Sequence, residues 1–205
     1  MLIKIDYEQA KTILKEGDIL LFRNNGLIGR LIQRYTGGVH SHVAIVHKDR
    51  HIWECVEFRE FKGGRTVSLA SQVAKCDSCI DVFRPVRSIT YEKMIDKNIN
   101  IIGKNYTEDV AKSVTEDIIM WTGQPYGWKN IWNMFKRFIP FIRLFAQNVD
   151  DGKIADAKVC STAVTVALRR NYMDPVPYLA DEMVSPADLA RSPLLQYLFT
   201  IKRSG

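Results

Sequence analysis

Two stretches in the first fifty residues are apolar at every position: "ILLF" at 19–22, behind the turn-forming "EGD", and "VAIV" at 43–46, behind His42. Continuous runs this short read as strands buried on both faces. Between them "NGLIGRLIQRYTGG" has helical spacing and closes on two glycines. A short helix is expected ahead of them, around Tyr7 to Lys15. The strand "HVAIVHK" leads through "DRH" into "IWECVEF", the spacing of a hairpin, and "GGRTVSLASQV" and "CIDVFRPV" read as two further β segments. From Tyr91 to about Thr122 the spacing is helical, with Val110, Val114, Ile118 and Trp121 on one stripe. Later, "AKVCSTAVTVALRRNY" is an apolar helix, and "VSPADLARSPLLQYLFTIKR" is a short helix followed by a closing strand. A β-rich first half and a helical second half predict an α+β domain.

Composition adds little to this picture. The 205 residues are 46% hydrophobic and 25% charged, which excludes wholesale disorder and fits one domain with a substantial core. A formal charge of +6 suits contact with anionic lipid, nucleic acid or cell-wall polymer without choosing among them. The basic residues are dispersed and carry no recognised nucleic-acid motif, so no nucleic-acid partner is expected. The N-terminus lacks the apolar core of a secretory signal and no stretch is long enough to span a bilayer, which predicts a cytoplasmic protein. Of the four cysteines, the pair in "KCDSCID" is a lone C-x-x-C, read as structural.

The chemistry-bearing residues sit at element ends. Cys160 opens the most apolar helix of the second half, where unsatisfied backbone N–H groups and the helix dipole favour a thiolate. Buried free cysteine is also a common apolar filler, so position alone does not make it a nucleophile. A cysteine nucleophile needs a base, and the base needs a group to orient it. His40 and His42 stand two apart at the mouth of a strand, a spacing that turns both rings to one face. Across the hairpin lie Glu54 and Glu57. Glu57 shares its face with Trp53 and Cys55, whereas Glu54 alternates with Ile52, Val56 and Phe58. His47 and His51 fall near the hairpin turn and read as solvated.

Taken in order, "EGDILLFR", "SHVAIV", "CVEF", "VCSTAV" and "SPADLARSP" resemble the circularly permuted branch of the NlpC-type papain-like cysteine amidases, the YiiX and YaeF group. The resemblance spans most of residues 16 to 195. It implies a papain-like α+β fold, an antiparallel sheet with packed helices, over 1–205 as a single permuted domain. It further implies that Cys160 is the nucleophile, His42 the general base and Glu57 the group that orients it. His40 and Tyr126, the latter in "GQPYGW", become substrate-contacting residues. No metal or organic cofactor is required. The expected activity is cleavage of an amide or ester through a thioester, by hydrolysis or acyl transfer, on a cell-wall peptide or a lipid acyl group.

The segment "YGWKNIWNMFKRFIPFIRLFAQNVDDGK" crowds aromatic, aliphatic and basic side chains around Pro140. It reads either as a core helix pair or as a helical insertion at about 128–148, a lid whose residues 128–145 meet a membrane surface. A second reading of the whole chain is a catalytically silent papain-like binding module, at a membrane or in a larger assembly such as a virion.

Overall fold

The computed structural model describes residues 3–76, 79–86, 91–95, 98–102, 106–127, 159–177 and 179–202. Strand β1 (Lys4–Ile5) precedes helix α1 (Tyr7–Ile13), whose start is fixed by a capping box between Asp6 and Gln9. Strand β2 (Ile19–Phe22) leads to α2 (Leu27–Thr36), which stops at Gly37 in the left-handed conformation, φ 63°. Then come β3 (His42–Asp49), β4 (Ile52–Arg59), β5 (Gly63–Ser68), α3 (Leu69–Lys75) and β6 (Ile80–Pro85). A separate hairpin, β7 (Tyr91–Ile95) and β8 (Asn98–Ile102), precedes α4 (Glu108–Ile119). The last elements are α5 (Cys160–Arg170), a 3₁₀ turn at Asp181–Met183, α6 (Pro186–Arg191) and β9 (Leu195–Ile201).

Seven strands form one sheet in the order β1-β9-β6-β2-β3-β4-β5, antiparallel throughout except for the short parallel pair β1–β9. The last strand of the chain therefore lies inside the sheet. Alternation along the strands explains the unbroken apolar runs. Ile19, Leu21, Val43, Ile45, Val56 and Phe58 share a core with α4 and α5. Their neighbours Leu20, Phe22, Ala44, Val46 and Cys55 share another with Ala10 of α1 and Leu69 and Val73 of α3. With both faces covered, no position of β2 is left for a polar side chain.

Two expectations need correction. "GGRTVSLASQV" is not one β segment: Ser68 caps a helix by accepting a hydrogen bond from the Ser71 N–H, and the chain turns from β5 into α3. Nor is Tyr91–Thr122 helical throughout. Its first part is the β7–β8 hairpin, in register from Tyr91↔Ile102 to Ile95↔Asn98, and "NINI" indeed alternates with period two. The insertion expected at about 128–148 lies outside the described residues. Among the described residues no helix is long and apolar enough to cross a membrane.

Candidate active site

Helix α5 is buried from Cys160 to Leu168, so its polar side chains must find partners inside the protein. Ser161 donates to the Val184 carbonyl at 2.6 Å, Thr162 to the Asp181 carbonyl at 3.3 Å, and Arg169 pairs with the Asp181 carboxylate at 3.1 Å. These bonds pin α5 to the 3₁₀ turn. At the other end Val159 supplies no side-chain cap, so Cys160 stands in a first turn whose N–H groups are not capped by a side chain. The helix also packs against β3, β4 and α4.

His42 begins β3, directly opposite Phe22 on β2, and the two rings meet at 5.3 Å. On the other side, the register pairs Ala44 with Glu57, which sets Glu57 one diagonal step from His42. The ring Nε2–H donates to Glu57 Oε2 at 2.6 Å. Cys160 stands near enough to the ring to act on its protonation. Tyr126 belongs to the same buried cluster as Cys160 and interacts with it electrostatically. Cys160, His42, Glu57 and Tyr126, four of the five residues picked out in the sequence, thus lie together in one array. All four are buried.

The electrostatics follow from that array. Burial alone would push His42 down, but the interaction with Cys160 and the hydrogen bond to and charge of Glu57 outweigh it and hold the ring up at about 10. Burial would push Glu57 up, yet His42, Arg59 and Arg65 hold it down at about 2. An imidazolium and a carboxylate therefore coexist at neutral pH. For Tyr126, burial followed by the nearby Cys160 raises the phenol and keeps it a neutral donor.

Arg65 and Arg59 were not anticipated. Arg65 is the direct cross-strand partner of Glu57, and it grips Oε1 through Nε at 2.9 Å and through Nη2. Arg59 Nη1 lies 3.7 Å from Oε2. The signal was a register: once β4 and β5 are paired across the Glu60–Lys62 turn, position 65 must face position 57.

His40 takes a different place from the one expected. It is 7% exposed, and Nε2 donates to Asp81 at 2.7 Å instead of facing an open cleft. Asp81 also accepts from Arg23 at 2.8 and 2.6 Å and from Thr200 at 2.7 Å. This second cluster ties the loop before β3 to β6, β2 and β9. The physical reason is parity lost at the strand mouth: His40 precedes β3, so strand alternation does not align it with His42. His47 is not free either, since it pairs with Glu16 at 2.9 Å, whereas His51 is exposed. Glu54 lies opposite His47 in the register, away from the array. None of the four cysteines forms a disulfide among the described residues.

No protein-family model matches the sequence, and no curated protein matches it. Among solved structures, the fold is shared with YiiX from Escherichia coli O157:H7, described as a metalloprotein. The two chains are 14% identical with a TM-score of 0.51, over 92% of this chain and 98% of that one. At that identity the likeness concerns the fold: a YiiX-like α+β architecture, carried through nearly the whole length of both chains.

Proposed function

We propose that the protein is a cysteine hydrolase or acyltransferase of the papain-like kind, with Cys160 as nucleophile. One observation carries this reading: buried His42 donates to the Glu57 carboxylate, and both that carboxylate and Cys160, which opens a buried helix, favour its charged form. What sets this histidine–carboxylate pair apart from His40–Asp81 is the cysteine beside it at a helix start.

The Cys160 sulfur attacks the carbonyl carbon of an amide or ester. The C–S bond forms as electrons move onto the oxygen, and the Cys160 backbone N–H and the Tyr126 hydroxyl are placed to donate to that oxyanion. Collapse breaks the C–N or C–O bond, and His42 delivers its proton to the leaving group. Water or another acceptor then attacks the thioester and gives its proton to His42; the C–S bond breaks with its electrons on the Cys160 sulfur, which restores the starting sulfur–imidazolium pair. Glu57 keeps the ring oriented and its positive charge compensated. The acyl donor is a peptide amide or a lipid ester.

YiiX is described as a metalloprotein. Among the described residues of this chain, no three His, Cys, Asp or Glu side chains are grouped to hold an ion. Both buried histidine–carboxylate pairs are closed by an arginine, whose charge opposes a cation. The described residues do not fit a metal centre, and the reaction proposed above is written through side chains alone.

The test is alkylation with a neutral haloacetamide at pH 7, followed by mass spectrometry, and then turnover of peptide amides and acyl esters. Cys160 should label ahead of Cys55, Cys76 and Cys79, and C160A should abolish turnover of whichever donor is accepted. An intact protein whose Cys160 labels no faster than Cys79 would refute the nucleophile and favour the silent module.

A further inference from the structure

The arginines that hold Glu57 also reach into a pocket. A pocket of about 220 Å³ is lined by Arg59, Lys62, Arg65 and Lys75, with Phe22 and Val67 supplying apolar wall. The size suits a small ion or headgroup better than a drug-sized ligand.

The lining has a consistent chemistry. Arg65 spends Nε and Nη2 on Glu57, which leaves its Nη1 edge for the pocket. Arg59 donates Nη1 to the Gln72 carbonyl oxygen at 3.2 Å, which fixes the guanidinium and leaves its remaining N–H groups. The same bond orients buried Gln72 so that its amide NH₂ has no acceptor among the described residues. Lys62 and Lys75 form no ion pair among the described residues, and no acidic side chain lines the pocket. Four cations and an amide donor therefore line a pocket with no acidic side chain in its wall, and the Glu57 carboxylate beside the arginines is already bound. The fixed forks of Arg59 and Arg65 are positioned before any ligand arrives, which reduces the ordering cost of binding.

We propose that this pocket binds a phosphate-class dianion, with Arg59 and Arg65 as the preset fork and Lys62 and Lys75 closing over it. A tetrahedral dianion can accept from several directions at once, as this set of donors requires, whereas a monoanionic carboxylate leaves part of the charge uncompensated. The inference stands apart from the reading of Cys160, because it concerns binding and is tested without turnover.

The experiment is calorimetric titration of the whole protein at fixed ionic strength with inorganic phosphate, glycerol 3-phosphate and acetate, repeated on K62A/K75A. Both lysines are exposed, so the variant should keep the wild-type melting temperature in phosphate-free buffer. Phosphate and glycerol 3-phosphate should bind saturably at one site, at least tenfold tighter than acetate and at least tenfold weaker in the variant. Vesicles of phosphatidic acid, set against phosphatidylcholine, separate the sources: displacement of bound phosphate by the former assigns a lipid headgroup, and no displacement assigns a soluble phosphoester. Absence of saturable binding, equal binding by K62A/K75A, or acetate binding as tightly as phosphate would overturn the proposal. Should the variant misfold, R59K in its place must weaken phosphate binding by the same criterion.

Discussion

His42 Nε2 lies 2.6 Å from Glu57 Oε2, and the other oxygen of that carboxylate belongs to Arg65. Glu57 is therefore committed on both sides, to a ring it orients and to a cation that keeps it ionised. Such a carboxylate neither takes the proton from His42 nor swings away from it. In the proposed mechanism this arrangement separates the proton carrier from the group that positions it.

Replacing Glu57 by glutamine tests that separation. E57Q keeps the shape but removes the charge opposite the imidazolium and leaves Arg65 without its counterion. Turnover should fall by about 10²-fold or more, with lower thermal stability. E54Q should stay within about twofold of wild type, since Glu54 sits opposite His47 and outside the array. Steady-state kinetics on the accepted acyl donor decides between them, and equal losses would contradict the assignment.

The pH dependence of stability follows from the two shifts. The His42 ring is raised from its ordinary 6.5 to about 10, so its contribution is complete below pH 6.5 and disappears as pH rises through 10. Glu57 is lowered from 4.5 to about 2, so its contribution is complete above pH 4.5 and disappears as pH falls through 2. The array stabilises the fold most between pH 4.5 and 6.5. Melting curves of wild type and H42N should diverge most in that window and converge toward pH 10. A difference that grows between pH 7 and 10 would reverse the sign of the His42 shift.

The parts of this protein that were legible in the sequence are those set by local rules. The apolar runs of β2 and β3 announce strands buried on both faces, and Glu57 is distinguished from Glu54 by alternation along one strand. Cys160 is legible because a helix start is a local feature. What escaped depends on pairing between distant segments. Arg65 becomes a partner of Glu57 only when the β4–β5 register is known, and Asp81 meets His40 only because β6 enters the sheet beside β2. Helix α3 escaped for a different reason: seven residues make two turns, too few for a helical period to stand out from the strand before it.

Gly63 links the end of the β4–β5 turn to the site. Its φ is +67°, and a Cβ there would sit 2.2 Å from the Gln124 carbonyl oxygen. That carbonyl accepts from the Gly64 N–H at 2.9 Å, and the Gly123 N–H donates back to Gly64 O at 2.8 Å. The turn is thus clamped to the segment that delivers Tyr126. G63A should cost about 1–3 kcal/mol from backbone strain and the clash, and should slow Cys160 alkylation as Tyr126 shifts. Denaturant unfolding and the alkylation rate measure the two effects. A variant as stable as wild type would show that the clamp yields freely.

Asp81 provides the control that distinguishes the two histidine clusters. In D81N the amide cannot match the charge of Arg23, nor can one carbonyl oxygen serve His40, Arg23 and Thr200 as the two carboxylate oxygens do. Breaking a buried charged network of this kind costs about 3 kcal/mol, reduced somewhat because Arg23 is partly exposed. The loss should appear as a lower melting temperature, since the cluster joins β6, β2 and β9. Cys160 reactivity at a temperature where D81N is fully folded should remain within about twofold of wild type, because Asp81 bonds to neither His42 nor Glu57. E57Q should show the opposite pattern, with reactivity lost even when the protein is folded. If D81N instead lowers thiol reactivity as far as E57Q does, His40 and Asp81 belong to the catalytic array and the division between the clusters is wrong.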